Sequence, residues 1–182
     1  LNTLCNLLGD YSVQAPADTF LARRGEAIPN DVARLRGARF VAASEVEEGR
    51  RLSEVLVKQL TGGDRIAARF LHQDYFEFQP QFKLFMAVNH KPVVRGTDPA
   101  IWRRIRLIPW TVTIPPEEQD RQLASKLLQE LPGILTWAVR GCLAWQREGI
   151  SPPSDVREAT ADYQVEMDPL TDFLAARCEL SP

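Results

Sequence analysis

Phe40-Val41-Ala42-Ala43-Ser44-Glu45 is the stretch that decides the fold. Four apolar residues run without interruption and stop at a hydroxyl and a carboxylate. A second run, Leu84-Phe85-Met86-Ala87-Val88, stops at Asn89, and a third, Trp102-Arg103-Arg104-Ile105-Arg106-Leu107-Ile108, is interrupted by arginines. Short continuous apolar runs, as opposed to alternating ones, are the pattern of strands covered on both faces in a parallel sheet. An open α/β sheet takes its ligand in the crevice beyond the carboxyl ends of its strands. A carboxylate and an amide at two such ends, followed by an arginine-bearing strand, are the residue types expected of a nucleotide-hydrolysing site.

Working outward, Leu1, Leu4 and Leu8 share a helical spacing that stops at Gly9, and the start of that helix carries no capping residue. The opening therefore reads as the remainder of a longer helix in a longer protein. Residues 11–30 are polar and punctuated by Pro and Gly, with a basic pair Arg23-Arg24, and read as a loop with weak elements. Asn30 or Asp31 caps a short helix through Leu35. Gly49 to Leu60 reads as a helix with Leu52, Val55, Leu56 and Leu60 on one face, stopped by Gly62-Gly63. Period-two alternation in Arg65–Phe70 and Tyr75–Phe78, around Leu71-His72-Gln73-Asp74, predicts a β-hairpin. After Trp110 the texture becomes helical: about 117–131, 133–148, 154–166, and a last helix over 169–179 begun by Asp168-Pro169. Trp137 and Trp145 fall at helical positions expected to be core. The division is an α/β part, residues 1–114, and a helical C-terminal subdomain, 115–182.

Composition narrows the functional classes. Hydrophobic content of 45% with 25% charged residues is that of a soluble globular chain. No apolar run approaches the ~20 residues of a bilayer span, and no secretory signal is visible. Cys5, Cys142 and Cys178 are odd in number and far apart, which favours buried, reduced thiols in a cytoplasmic protein over a disulfide framework. With only His72 and His90 and no CxxC pair, a structural zinc site is not expected. Residues 1–110 hold 16 Lys/Arg against 12 Asp/Glu, whereas 111–182 hold 6 against 12. Only the first part suits a polyanion.

Each candidate has a plain alternative. Glu45, with Glu47 and Glu48 behind it, suits a carboxylate that holds Mg²⁺ and orients water, or is simply a solvated acidic turn. Asn89 suits an amide that positions water near a γ-phosphate, or caps the turn before His90-Lys91-Pro92. Arg104 and Arg106 would share one strand face, with Arg103 opposite, either to reach a neighbouring subunit's phosphate or as solvated arginines of an edge strand. Lys58, Arg65, Arg69 and His72 would grip a single-strand backbone. The hairpin aromatics Phe70, Tyr75, Phe76 and Phe78 offer stacking but are expected to be mostly core.

Taken in order, Ala33 to Glu45, Lys58 to Asp64, Phe82 to Pro92 and Ile101 to Pro109 resemble the C-terminal helicase domain of phage and plasmid primase-helicases. That family belongs to superfamily 3 within the AAA+ ATPases. The resemblance implies an AAA+-type P-loop NTPase core: a mostly parallel sheet with helices on both faces, a pre-sensor β-hairpin and a helical C-terminal appendage. It implies an ATP-hydrolysing DNA helicase using ATP and Mg²⁺, with Glu45 as the Walker B metal-binding acid and Glu47, or else Glu48, as a second acid. Asn89 matches the sensor-1 position. Arg104, or less well Arg103, matches the arginine finger that acts across a subunit interface. Residues 65–78 match the DNA-contacting hairpin, with Lys58, Arg65, Arg69 and His72 the implied DNA contacts. A homo-hexamer on single-stranded DNA, in the cytoplasm of a bacterial host and with no membrane partner, is the implied setting.

One departure is plain. No GxxxxGK[ST] occurs in the 182 residues. The family places that phosphate loop just before the position of Leu1, with a primase domain further upstream in some members. Without its amides and lysine the chain alone is expected to bind ATP poorly and to be inactive. Two other readings stay open: a non-catalytic DNA-binding or assembly module of the same fold, and another AAA+ initiator or regulator ATPase.

Overall fold

A computed structural model describes residues 1–23, 30–96, 98–168 and Arg177. Arg24, the helix expected over 169–179 and Cys178 thus lie outside the described residues, Arg177 apart. The fold is α/β. A parallel three-stranded sheet has the order β1 (Ser12–Gln14), β2 (Phe40–Ser44), β5 (Lys83–Ala87). The hairpin β3 (Ile66–Ala68) and β4 (Phe76–Phe78) forms a separate antiparallel pair, Ile66 opposite Phe78. Seven helices accompany them among the described residues: α1 (Asn2–Leu8), α2 (Asn30–Ala33), α3 (Glu54–Gly62), α4 (Pro99–Trp102), α5 (Leu123–Gln129), α6 (Leu131–Glu148) and α7 (Ser154–Glu166).

β2 is the middle strand, and Phe40 through Ala43 are all buried, as a continuous apolar run requires. β5 departs from the expectation of a buried strand. Its residues alternate between exposed and half-buried, and Phe85 is 37% exposed. The alternation gives the cause: Leu84 and Met86 face the core, whereas Lys83, Phe85 and Ala87 share the opposite face, which is left exposed. β1 falls in the stretch read as a loop with weak elements; three residues are too short for a periodicity to be read.

The third expected strand does not form. Asp98 accepts a hydrogen bond from the Ala100 amide at 2.8 Å, Pro99 takes the first helical position, and α4 runs to Trp102. Arg103 and Arg104 form the turn that ends it, and 105–110 is irregular. α3 starts at Glu54, five residues later than expected, because Gly49 lies in a turn at φ 75° and Arg51 and Leu52 are drawn into β-bridges. Arg51 bridges to Val93, and Leu52 to Leu21. Gly63, at φ 86°, ends α3 in the left-handed conformation that glycine adopts without steric cost.

Two buried clusters hold these parts. One gathers Phe20, Val32, Leu35, Val41, Leu60 and Phe78 beneath the sheet strands and hairpin. The other is built from Leu52, Val57, Val94, Ile101, Trp102 and Tyr163, so α7 supplies part of its wall. By contrast α5 and α6 bury no residue fully, and Trp137 and Trp145 are 73% and 50% exposed, contrary to the core expected of them. These helices touch α1 and each other, which leaves one apolar face uncovered. Cys142 is exposed and Cys5 half-buried; both are free thiols, so burial of the cysteines is not observed for either.

Candidate functional site

Parallel register assembles the central part of the site. Ser44 lies opposite Ala87, and the Glu45 amide donates to the Ala87 carbonyl at 3.2 Å. Glu45 and Asn89 therefore leave neighbouring strands at the same carboxyl edge, and both are exposed. Glu45 sits at φ 66°, in the left-handed region, while the next residue, Val46, returns to the core. His72, at φ 60°, is the other non-glycine residue with positive φ among the described residues. Two residues held where L-amino acids pay steric energy were both singled out from sequence as site candidates, and such strain concentrates at functional positions.

Glu45 enters no ion pair among the described residues, whereas Glu47 pairs with Arg50 at 3.5 Å and Arg50 with Asp18 at 2.8 Å. Of the acidic candidates, Glu45 and Glu48 enter no ion pair among the described residues, and Glu45 is the one at the strand end. No cluster of three or more His, Cys, Asp or Glu side chains is placed to hold a metal among the described residues. A single carboxylate, with water and phosphate oxygens completing the shell, fits a Mg²⁺ habit and not a zinc or calcium cage.

The arginines are tied within their own chain. Arg104 Nε donates to Thr61 Oγ1 at 3.1 Å and its Nη1 to the Ala100 carbonyl at 2.5 Å, which fastens the end of α4 to the end of α3. Arg103 is exposed, and Arg106 bonds the Arg103 and Ile105 carbonyls. Lys58, a candidate DNA contact, is engaged elsewhere: its Nζ lies 2.7 Å from the Asp98 carboxylate. That bond, then the Ala100 amide, holds the Asp98 carboxyl below the ordinary aspartate range.

On the hairpin Phe78 is buried and Phe76 half-buried, as core aromatics, whereas Phe70 and Tyr75 are exposed. Arg69 lies over the Tyr75 ring at 4.8 Å, Arg65 is 3.9 Å from Glu77, and His72 stands exposed in the turn.

A helix that sequence reasoning did not connect to the site fastens the segments that follow Asn89 and Arg104. From α7 and the residue after it, Glu166 pairs with Lys91, the Tyr163 hydroxyl donates to the Pro92 carbonyl, and the Val94 amide donates to Met167 Sδ at 3.5 Å. Thr160 Oγ1 accepts the Leu107 amide at 3.0 Å. Trp102 meets the Tyr163 ring edge-on at 5.3 Å. Burial, and next the Glu166 charge, push the Tyr163 hydroxyl above the ordinary phenol range, so it remains a donor. No local motif announces these contacts, since the Pro92 and Tyr163 partners are 71 residues apart.

No protein-family model matches the chain. Over 198 aligned positions it is 30% identical to "Putative helicase 022R" of Frog virus 3 (isolate Goorha), covering 97% of this chain and 20% of that protein. It is 26% identical over 211 positions to "Putative helicase 184R" of Invertebrate iridescent virus 6, covering 97% of this chain and 22% of that protein. Against "Putative helicase L207/L206" of Acanthamoeba polyphaga mimivirus it is 25% identical over 161 positions, covering 79% and 17%. The chain spans about a fifth of the length of these relatives. Among the described residues no helix is long and apolar enough to cross a membrane.

Proposed function

We propose that the chain is part of the ATPase core of a superfamily 3 DNA helicase, working with ATP and Mg²⁺ in a homo-hexameric ring on single-stranded DNA. The observation that carries this reading is Glu45: an unpaired carboxylate at the end of the buried central strand, in strained backbone, one strand from Asn89. Likeness to viral proteins named as helicases, running through nearly the whole chain, supports the same class. The relatives are viral, so a virus, phage or plasmid replication protein is the setting proposed, with a primase domain elsewhere in the polypeptide part of the same proposal.

In this mechanism Glu45 would hold Mg²⁺ and orient the attacking water, and Asn89 would contact the γ-phosphate. The metal, when bound, would supply charge neutralisation on the phosphates. Arg104, freed from Thr61 and Ala100, or exposed Arg103, meets the phosphate of a neighbouring subunit. Arg69 and His72 on the hairpin contact the strand.

The test uses the polypeptide that carries this stretch together with its phosphate loop. Glu45→Gln is expected to leave ATP binding within about threefold and to lower hydrolysis by 10²-fold or more, the scale of a lost catalytic base. Hydrolysis at the wild-type rate in that variant would remove Glu45 from the mechanism. A rival module that keeps the fold without the chemistry predicts oligonucleotide binding and no hydrolysis in the wild type.

A further inference from the structure

We infer that the contact surface for single-stranded DNA extends beyond the hairpin turn, along the hairpin flank to the amino edge of the sheet, through Arg36, Arg39 and Lys83. This rests on the hairpin reading given above and lengthens it into a track at the opposite end of the strands from Glu45.

The segment 34–39 is built to present cations. Leu35 and Ala38 are 1% and 2% exposed, whereas Arg34, Arg36 and Arg39 between and beside them are exposed. The backbone is fixed by turn bonds from Arg36 to Ala33 and from Ala38 to Leu35, with Gly37 at φ 82° making the reversal. Buried anchors alternating with arginines fix the backbone that carries the charges, Arg36 is held over the Phe76 ring, and Arg39 donates to Gln81 Oε1. Lys83 joins them across the sheet: it lies opposite Phe40, is exposed, and its amide donates to the Arg39 carbonyl at 3.0 Å.

Aromatic contacts link this edge to the hairpin. Arg36 lies over the Phe76 ring at 5.1 Å, and Phe70 stacks on Phe76 at 5.7 Å with 39% of its own surface exposed. Arg69 then covers Tyr75, itself 66% exposed. Cations alternating with exposed rings are what a single strand needs, phosphates on the former and unstacked bases on the latter. Duplex DNA would leave the rings unused.

Charge complementarity points to a polyanion. Arg34, Arg36, Arg39, Lys83 and Arg69 enter none of the carboxylate pairs among the described residues, although Arg23, Arg50, Lys58, Arg65, Lys91 and Lys126 do. The nearby acids are Asp31, whose carbonyl accepts the Arg34 amide, Glu77 beside Phe76, Asp64 and Asp74 on either side of Arg69, and Asp10 beside the Tyr11 whose carbonyl accepts the Arg39 amide. Asp31 and Glu77 pair with Arg23 and Arg65 instead, and none of the five cations enters an ion pair among the described residues.

The test is anisotropy of a fluorescein-labelled 20-mer oligothymidylate with the 182-residue chain, over a salt series. Arg36→Ala/Arg39→Ala/Lys83→Ala is expected to weaken binding at least tenfold at low salt. It should also flatten the logarithmic salt slope by about 2, three phosphate contacts at ~0.7 each. Charge-preserving Arg36→Lys/Arg39→Lys should keep the slope. All three side chains are exposed, and unchanged thermal unfolding of the triple variant separates lost contact from lost fold. If the triple variant binds as wild type while Arg69→Ala/His72→Ala loses binding, the track is wrong and the hairpin reading stands. If neither set matters, or the wild type does not bind, both fall. Equal competition by duplex would overturn the single-strand assignment.

Discussion

Glu45 carries two burdens at once, a left-handed backbone and an unpaired carboxylate. A non-glycine residue there costs roughly 1–2 kcal/mol, and glycine relieves that cost while adding about 0.5–1 kcal/mol of unfolded-state entropy. Glu45→Gly is therefore expected to leave stability unchanged or raise it by up to about 1.5 kcal/mol, as read from the denaturant midpoint, even as the hydrolysis proposed above is lost. Destabilisation beyond about 1 kcal/mol would mean that the side chain has structural contacts of its own. At this scale the sequence was informative: an acid ending a buried run is visible in one line of text. Its backbone angle is not, because φ at a strand end is set by where the next buried residue, here Val46, must go.

Elements were legible in proportion to how local their causes are. β2, the hairpin, α6 and α7 follow from periodicity and from punctuation by Pro and Gly. Trp102 to Ile108 alternates apolar residues and arginines like a strand but is not one. The helix begun at Asp98-Pro99 takes in Trp102, Arg103 and Arg104 turn, and the Leu107 amide goes to Thr160 of α7. An Asp-Pro pair marks a helix start whether the residues after it are apolar or polar. The role of α7 was hidden for the opposite reason, since its partners are far away in the chain. Tyr163→Phe tests that role. Loss of the hydrogen bond to Pro92 should cost about 1 kcal/mol near neutral pH. The phenol is raised above its usual value, so the wild type should also lose stability as pH climbs past about 10, where the unfolded chain ionises and the folded one does not. Urea midpoints of Tyr163→Phe across pH 8 to 11 should decline less steeply; parallel curves would show that Tyr163 does not dominate alkaline unfolding.

On the scale of the whole molecule, the described surface is unevenly covered. β5 has one open edge, and Trp110, Val112, Trp137 and Ile150 are each more than 70% exposed. Open edges and contiguous apolar surface favour association. The 182-residue chain is expected to elute as oligomers in light-scattering chromatography at micromolar concentration; a strictly monomeric peak would show that these faces are tolerated by water. This unevenness was not legible in the sequence, because an apolar residue states a preference for cover without stating whether cover is present.

The docking of α7 on α4 has an optical consequence. Of the four tryptophans, Trp102 alone is buried, and its environment is closed by the Tyr163 ring; Trp110, Trp137 and Trp145 are all at least half exposed. Emission should therefore separate into a blue component resistant to iodide, belonging to Trp102, and a red component that iodide quenches. Any nucleotide or strand that loosens α7 from the loop after Asn89 would shift the blue component alone, giving the native chain an intrinsic reporter of its own internal coupling.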